Sequence, residues 1–172
     1  MSSDVEDLVT GGEVAIRPWT ADDDYAFVRD AWARSLHARE QYVAVDQATW
    51  LAFAYPAIGS LLKRREQETS VLIACDPTAT DVIYGFLVVG NRRADDGIWQ
   101  ASVAHYVYVK APFRGFGIAT RLLREVWPLL GEHPVYVSTM PPLPWLQRYR
   151  MRYNPFLGLT TTNGLPATKE PT

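Results

Sequence analysis

Residues 107–123 read Val-Tyr-Val-Lys-Ala-Pro-Phe-Arg-Gly-Phe-Gly-Ile-Ala-Thr-Arg-Leu-Leu and hold the chain's densest grouping of residues able to do chemistry. A β-branched and aromatic run ends at Pro112. Arg114-Gly115-Phe116-Gly117 then leads directly into helical spacing. The first N–H groups of a helix have no carbonyl one turn back and carry partial positive charge. Glycines let the backbone approach a ligand with no Cβ in the way. Arg114 adds a permanent cation suited to phosphate oxygens. Arg114 and the turn Gly115-Phe116-Gly117-Ile118 are therefore a candidate cradle for a phosphate or pyrophosphate. A tight strand-to-helix turn beside a surface arginine is the plainer use of the same residues.

The spacing matches neither Gly-x-Gly-x-x-Gly nor the Lys-containing phosphate loop. No acidic ribose partner and no metal-binding Ser or Thr sits at the required offset, so dinucleotide and ATPase chemistry do not fit. Asp22, Asp23 and Asp24 raise the question of a metal site, but consecutive helical positions point in different directions. A first helical turn capped by Thr20 explains them more simply. Cys75 follows Val71-Leu72-Ile73-Ala74 and reads as a small buried strand residue. No metal is expected.

The elements that must position the motif follow from periodicity. Residues 13–19 alternate as a short strand that Pro18 stops, and 20–38 have Tyr25, Val28, Trp32 and Leu36 at helical spacing. Residues 47–67 read as helical, with a break expected at Pro56. Strands are expected at 70–76, 82–92 and 98–110, the first two forming a hairpin. Helix 118–130 places Ile118, Leu122, Val126 and Leu130 on one face, with Arg121, Arg124 and Glu125 away from it. A strand within 133–140 follows, and then a loop and short helix. This order predicts an α/β layer protein with a mixed, mainly antiparallel central sheet flanked by helices. The 172 residues fit one domain, placed at 13–159, with 1–12 and 160–172 as flexible termini.

Bulk composition narrows the class. Net charge is −2, which argues against a non-specific grip on nucleic acid over the whole surface. One cysteine allows no intrachain disulfide, which suits a reducing compartment. No run reaches ~18 apolar residues, so no membrane span is expected. Met-Ser-Ser-Asp-Val-Glu-Asp lacks the regions of a secretory leader. A cytoplasmic protein is expected.

Arg114, Gly117 and Ala119 form Arg-x-x-Gly-x-Ala between a hydrophobic strand and an amphipathic helix. This resembles the acetyl-CoA signature of the GCN5-related N-acetyltransferases, and the element order across roughly 13–158 is similar to that family's. The resemblance implies an acyl-CoA N-acyltransferase fold and acetyl-CoA as acyl donor. It implies pantetheine pairing with the backbone of Val107 and Val109, across Tyr108. It also implies pyrophosphate on the N–H groups of Arg114, Gly115, Phe116, Gly117, Ile118 and Ala119, and a thioester held where the fourth and fifth strands splay apart. The acceptor would be an amine, small or macromolecular, attacking directly in a ternary complex.

Such a reaction needs a base for the amine, an oxyanion donor and an acid for the thiolate. The resemblance implies a backbone donor near Val107–Val109 and a tyrosine acid. Tyr149 in Trp-Leu-Gln-Arg-Tyr-Arg is the best match, and Tyr153 remains open because the Gly-Phe that normally follows is missing. His105 is a candidate base; on strict alternation it shares a face with Val103, Val107 and Val109. Either tyrosine could simply pack, and His105 could be a core or surface histidine. Segments 37–68 and 140–158 would shape the acceptor site.

Two other readings stay open. Arg148, Arg150 and Arg152 interleave with Tyr149, Tyr153 and Phe156, a pattern that can grip phosphates and stack on bases. A nucleic-acid-binding or nucleic-acid-modifying protein on the same scaffold would use them. A member that binds CoA without turnover is the other.

Overall fold

The computed structural model describes residues 14–39, 43–63, 69–93, 100–130, 135–139, 147–148 and 150–154. The expectations for 1–12, 160–172 and Tyr149 fall outside the described residues. Six strands lie side by side in chain order: β1 (Ala15–Pro18), β2 (Thr69–Cys75), β3 (Ile83–Arg93), β4 (Gln100–Val109), β5 (Val135–Val137) and β6 (Arg152–Tyr153). The first four pair antiparallel, while β4–β5 and β5–β6 are parallel. A parallel neighbour requires a crossover, and α3 (Ile118–Leu130) supplies it between β4 and β5. Helices α1 (Ala21–His37) and α2 (Gln47–Lys63) precede β2. The sheet is mixed and flanked by helices, as expected.

Side chains alternate along β3, so one strand serves two cores. Phe86 and Val88 pack with Val28 and Trp32 of α1 and Leu62 of α2. Leu87 and Val89 pack with Ile118, Leu122 and Leu123 of α3 on the opposite face. Burying each such side chain stabilises the fold by about 1.5–3 kcal/mol. Cys75 is fully buried in the first of these cores.

Three expectations need correction. The helix does not break at Pro56: α2 runs unbroken through it. Proline removes one bond to the carbonyl of Ala52, and both residues face solvent, where water can satisfy that carbonyl. The last described segment is not only loop and short helix. Residues 147–148 are helical, but Arg152–Tyr153 form β6, pairing with Tyr136 and Val137. Thr20 occupies the N-cap of α1 without bonding a helix N–H through its side chain. Asp24 caps instead. Its Oδ2 accepts the Thr20 N–H at 2.8 Å and Arg17 Nη1 at 2.6 Å. Among the described residues no cluster of His, Cys, Asp or Glu could hold a metal ion. No described helix is long and apolar enough to cross a membrane.

Candidate active site

The site begins with one extra residue in β4. Tyr106 pairs with Val88 and Ala104 with Val89, so His105 is a β-bulge. A bulge bends its strand and breaks alternation. Ala104, rather than Val103, therefore shares the α3 face with Val107 and Val109. The single-face alignment of Val103, His105, Val107 and Val109 expected from strict alternation does not hold. The parallel pairing with β5 also ends here, at Ala104↔Val137, although β4 continues to Val109.

Beyond the bulge no described strand pairs with the far side of β4. Lys110 N–H donates to the Tyr84 carbonyl at 2.9 Å. With Phe86 opposite Tyr108, alternation turns the polar groups of Tyr108 toward β3 and those of Val107 and Val109 away from it. A cleft of about 570 Å³ lies along this side, with Ala119 and Leu123 of α3 and Val137 and Thr139 of β5 and its exit among its walls. Val107, Tyr108 and Val109 all line it.

At the strand's end the chain makes a 3-10 turn over Ala111–Phe113, fixed by packing of Phe113 on Tyr84 with ring centroids 4.4 Å apart. Gly115 and Gly117 have φ of +90° and +77°, which glycine adopts without strain. Gly117 accepts the first helical bond, from Arg121 N–H at 3.0 Å. The N–H groups of Ile118, Ala119 and Thr120 thus begin α3 with no carbonyl one turn back. Arg114, Gly115, Gly117, Ile118 and Ala119 line a second, smaller concavity here. Phe116 is half-buried beside it. Arg114 differs in two details from the expected cradle. Its own N–H bonds Ala111 O at 3.3 Å, and its Nε bonds the Val109 carbonyl at 3.0 Å. The side chain is thereby drawn across the mouth of the cleft, while the backbone donors begin at Gly115. Lys110 is turned the other way, its ammonium 5.0 Å from the Phe27 ring centroid. Burial lowers its pKa.

His105 is 2% exposed and lines the main cleft. Its Nδ1 lies 3.1 Å from Ser138 Oγ, and that hydroxyl donates to the His105 carbonyl at 3.4 Å. The pair ties the ring to the residue that follows β5, with the direction of the Nδ1–Oγ bond set by the tautomer. Ser138 bridges the two strands where their pairing stops. On the α1 side the cleft is walled by Ser35, Arg39 and Tyr106. Tyr106 stacks on Trp32 at 5.1 Å, shares a 2.9 Å hydrogen bond with Ser35, and has Arg39 Cζ 5.5 Å from its ring centroid. No motif marks Ser35, Tyr106 or Ser138, and sequence reasoning missed them. Arg39 falls in the segment expected to shape the acceptor site but was not singled out.

Other candidates fall elsewhere. Tyr153 is on β6, 42% exposed, and is not among the described residues lining the cleft. Arg148 and Arg150 are exposed and line a separate groove with Arg124, Trp127 and Pro128. Arg152 is exposed on β6. Within segment 37–68, Phe53 is 67% exposed, while Trp50 packs inward and donates to the Ala33 carbonyl at 2.8 Å.

No sequence-family model matches the chain, and no curated protein sequence matches it. Solved structures do. A Pyrococcus furiosus protein named provisionally as an acetyl transferase superposes with a TM-score of 0.57 at 15% identity, over 80% of this chain and 90% of that one. A Trypanosoma brucei acetyltransferase gives 0.54 at 16% identity, over 83% and 94%. The GCN5-related glucosamine N-acetyltransferase region of a fungal multi-domain β-N-acetylglucosaminidase gives 0.53 at 16%, over 76% of this chain and 14% of that much longer one. The chain therefore has the fold of the GCN5-related acetyltransferases.

Proposed function

We propose that this chain is an N-acetyltransferase that moves an acetyl group from acetyl-CoA to an amine within a ternary complex. One observation carries the reading. The gap beside the His105 bulge runs along an edge of β4 that no described strand pairs with, toward the glycine turn at the start of α3. An extended amide-containing arm ending in a pyrophosphate fits that combination. Val107 and Val109 offer backbone groups to the arm, and the N–H groups from Gly115 to Ala119, with Arg114, meet the phosphates. The β4 backbone N–H groups on the cleft side also suit polarisation of the thioester carbonyl.

In this reading His105 accepts a proton from the amine, directly or through a water, as nitrogen bonds to the acetyl carbon. Ser138, 3.1 Å from Nδ1, orients the ring. The bond to sulfur then breaks, and the thiolate takes a proton, with Tyr149 as the proposed acid by family resemblance. The two products are an acetylated amine and CoA. A location in the cytoplasm and a single domain over 13–159 are part of the same reading.

The test is a thermal shift. Acetyl-CoA at a hundred times its Kd raises the stability of a selectively bound native state by about 2.7 kcal/mol. A clear rise in Tm is expected with the wild type and none with Arg114→Glu, whose unliganded Tm should hardly change. No rise with acetyl-CoA or any other acyl-CoA at millimolar concentration would sink the reading. A salt-dependent gel shift in its place would move the protein to the nucleic-acid class, through Arg148, Arg150 and Arg152.

A further inference from the structure

Arg114 stands between the two concavities of the site. With Val109 and Ala119 it lines both the main cleft along β4 and the smaller one at the start of α3. It follows the 3-10 turn Ala111–Phe113 and reaches back to the last residue of β4, where its Nε donates to the Val109 carbonyl at 3.0 Å. That carbonyl faces away from β3, where an extended arm carrying amides would seek its acceptors. A carbonyl oxygen has a second lone pair. The side chain lying on it also covers the strand at this point, however, so an arm meets the arginine before it meets the backbone. Arg114 is exposed, and water competes for the bond. A guanidinium binds a phosphate, whose charge and oxygens match its donor fork, more strongly than it binds a neutral carbonyl.

Resting on the acetyltransferase reading, we propose that Arg114 is a latch that selects the acyl donor. In the unliganded protein it covers the acceptor that the pantetheine arm needs, and a donor carrying a pyrophosphate draws it off. A pantetheine thioester without phosphates must break the Val109 contact and offers the guanidinium no replacement. Acetyl-CoA breaks the same contact and re-engages the guanidinium at its pyrophosphate. The discrimination lies in binding and not in the chemical step, because the acetyl thioester is the same in both donors. Arg114 therefore acts with opposite sign on the two ligands, which an arginine that only attracts phosphate does not. By linkage, a separate phosphate ligand that draws the arginine off must strengthen binding of the neutral arm, and the arm must strengthen binding of that ligand by the same factor.

The experiment titrates the full chain by calorimetry with acetyl-CoA and with S-acetylpantetheine, which is neutral and lacks the phosphates. Arg114→Met keeps the aliphatic stem and removes the donors. The variant should bind acetyl-CoA about tenfold or more weakly, and S-acetylpantetheine about 3- to 10-fold more tightly, than the wild type. In the wild type, saturating inorganic pyrophosphate should tighten binding of S-acetylpantetheine about 3-fold or more, and in Arg114→Met it should have no effect. Since S-acetylpantetheine is neutral, direct attraction between the two ligands does not produce that coupling. Equal or weaker binding of S-acetylpantetheine by the variant overturns the proposal. So does pyrophosphate that leaves the wild type's affinity for it unchanged or lowers it, and so does S-acetylpantetheine that binds under none of these conditions. The pyrophosphate titration uses the wild-type protein and decides the matter even if the variant does not fold. With acetyl-CoA binding intact, these failures strike the latch and leave the acetyltransferase reading standing. A wild type that binds no acyl-CoA fails at that reading, and the proposal falls with it.

Discussion

At the scale of single residues, the role of His105 follows from position more than from burial. Its ring is enclosed, its Nδ1 is engaged by Ser138, and it stands at the bulge where the sheet opens. His105→Gln keeps a polar group near Ser138 but cannot take a proton. We expect kcat to fall at least 100-fold, within the range for loss of a general base, while the acetyl-CoA thermal shift persists. The acid-side decline of activity with falling pH, which a base must show, should flatten. If that limb survives unchanged, His105 only positions other groups. The turn around Gly115 and Gly117 was readable in the sequence because its demands are local: two positive φ values and one helix start. His105's bulge left no such mark, since an extra residue in a ladder is defined by its partners. Arg39 was not readable either; a cation near a helix end looks solvated until the opposing wall is known.

At the scale of elements, β4 depends on its neighbour. A Cβ built on Gly85 would lie 2.3 Å from the Tyr108 carbonyl oxygen and 3.2 Å from Val109 Cα. Both contacts are backbone, so no side chain can swing aside. Gly85→Ala should cost about 3 kcal/mol, at the upper end for overpacking, measured by urea unfolding. It should also weaken acetyl-CoA binding, because the displaced stretch is the cleft-lining end of β4. A loss below ~1 kcal/mol would mean that β3 and β4 can separate freely. The long elements were legible: α3 from its 3.6-residue stripe, β2 and β3 from their apolar runs. β6 was not, because two residues contain no period. Pro56 misled because its effect depends on whether the orphaned carbonyl reaches water.

At the scale of the whole molecule, a set of carboxylates joins parts distant in sequence. Arg17 of β1 binds Asp24 of α1 and donates to the Thr80 carbonyl in the β2–β3 turn at 3.1 Å. Burial alone would raise the pKa of Asp24, but Arg17 and the Thr20 N–H outweigh it and hold it below the usual carboxylate range. In the same turn the Thr78 hydroxyl and N–H, then the Tyr84 hydroxyl, hold Asp76 at about 2, against an ordinary 3.8. Tyr84 in turn is pushed to about 12 by burial and by that carboxylate. Both carboxylates have folded pKa values below the unfolded ones. Their stabilisation is therefore fully present above about pH 4 and is lost as pH falls toward 2. Tm should drop across that window. Asp24→Asn should lower stability at neutral pH by about 1–3 kcal/mol, the range for hydrogen bonds to charged groups, and make the acid decline shallower. An equally steep decline in the variant would place the acid sensitivity elsewhere.

The cleft side of β4 has a consequence for how such a protein can drift. Val107 and Val109 turn main-chain groups away from β3 toward the cleft, and the start of α3 likewise offers N–H groups. Recognition made by backbone tolerates almost any side chain that keeps the strand and the turn in place. Two chains can diverge to the 15% and 16% identity seen with solved structures and still keep the same fold. The far wall, where Ser35, Arg39 and Tyr106 stand, must by contrast be specified side chain by side chain.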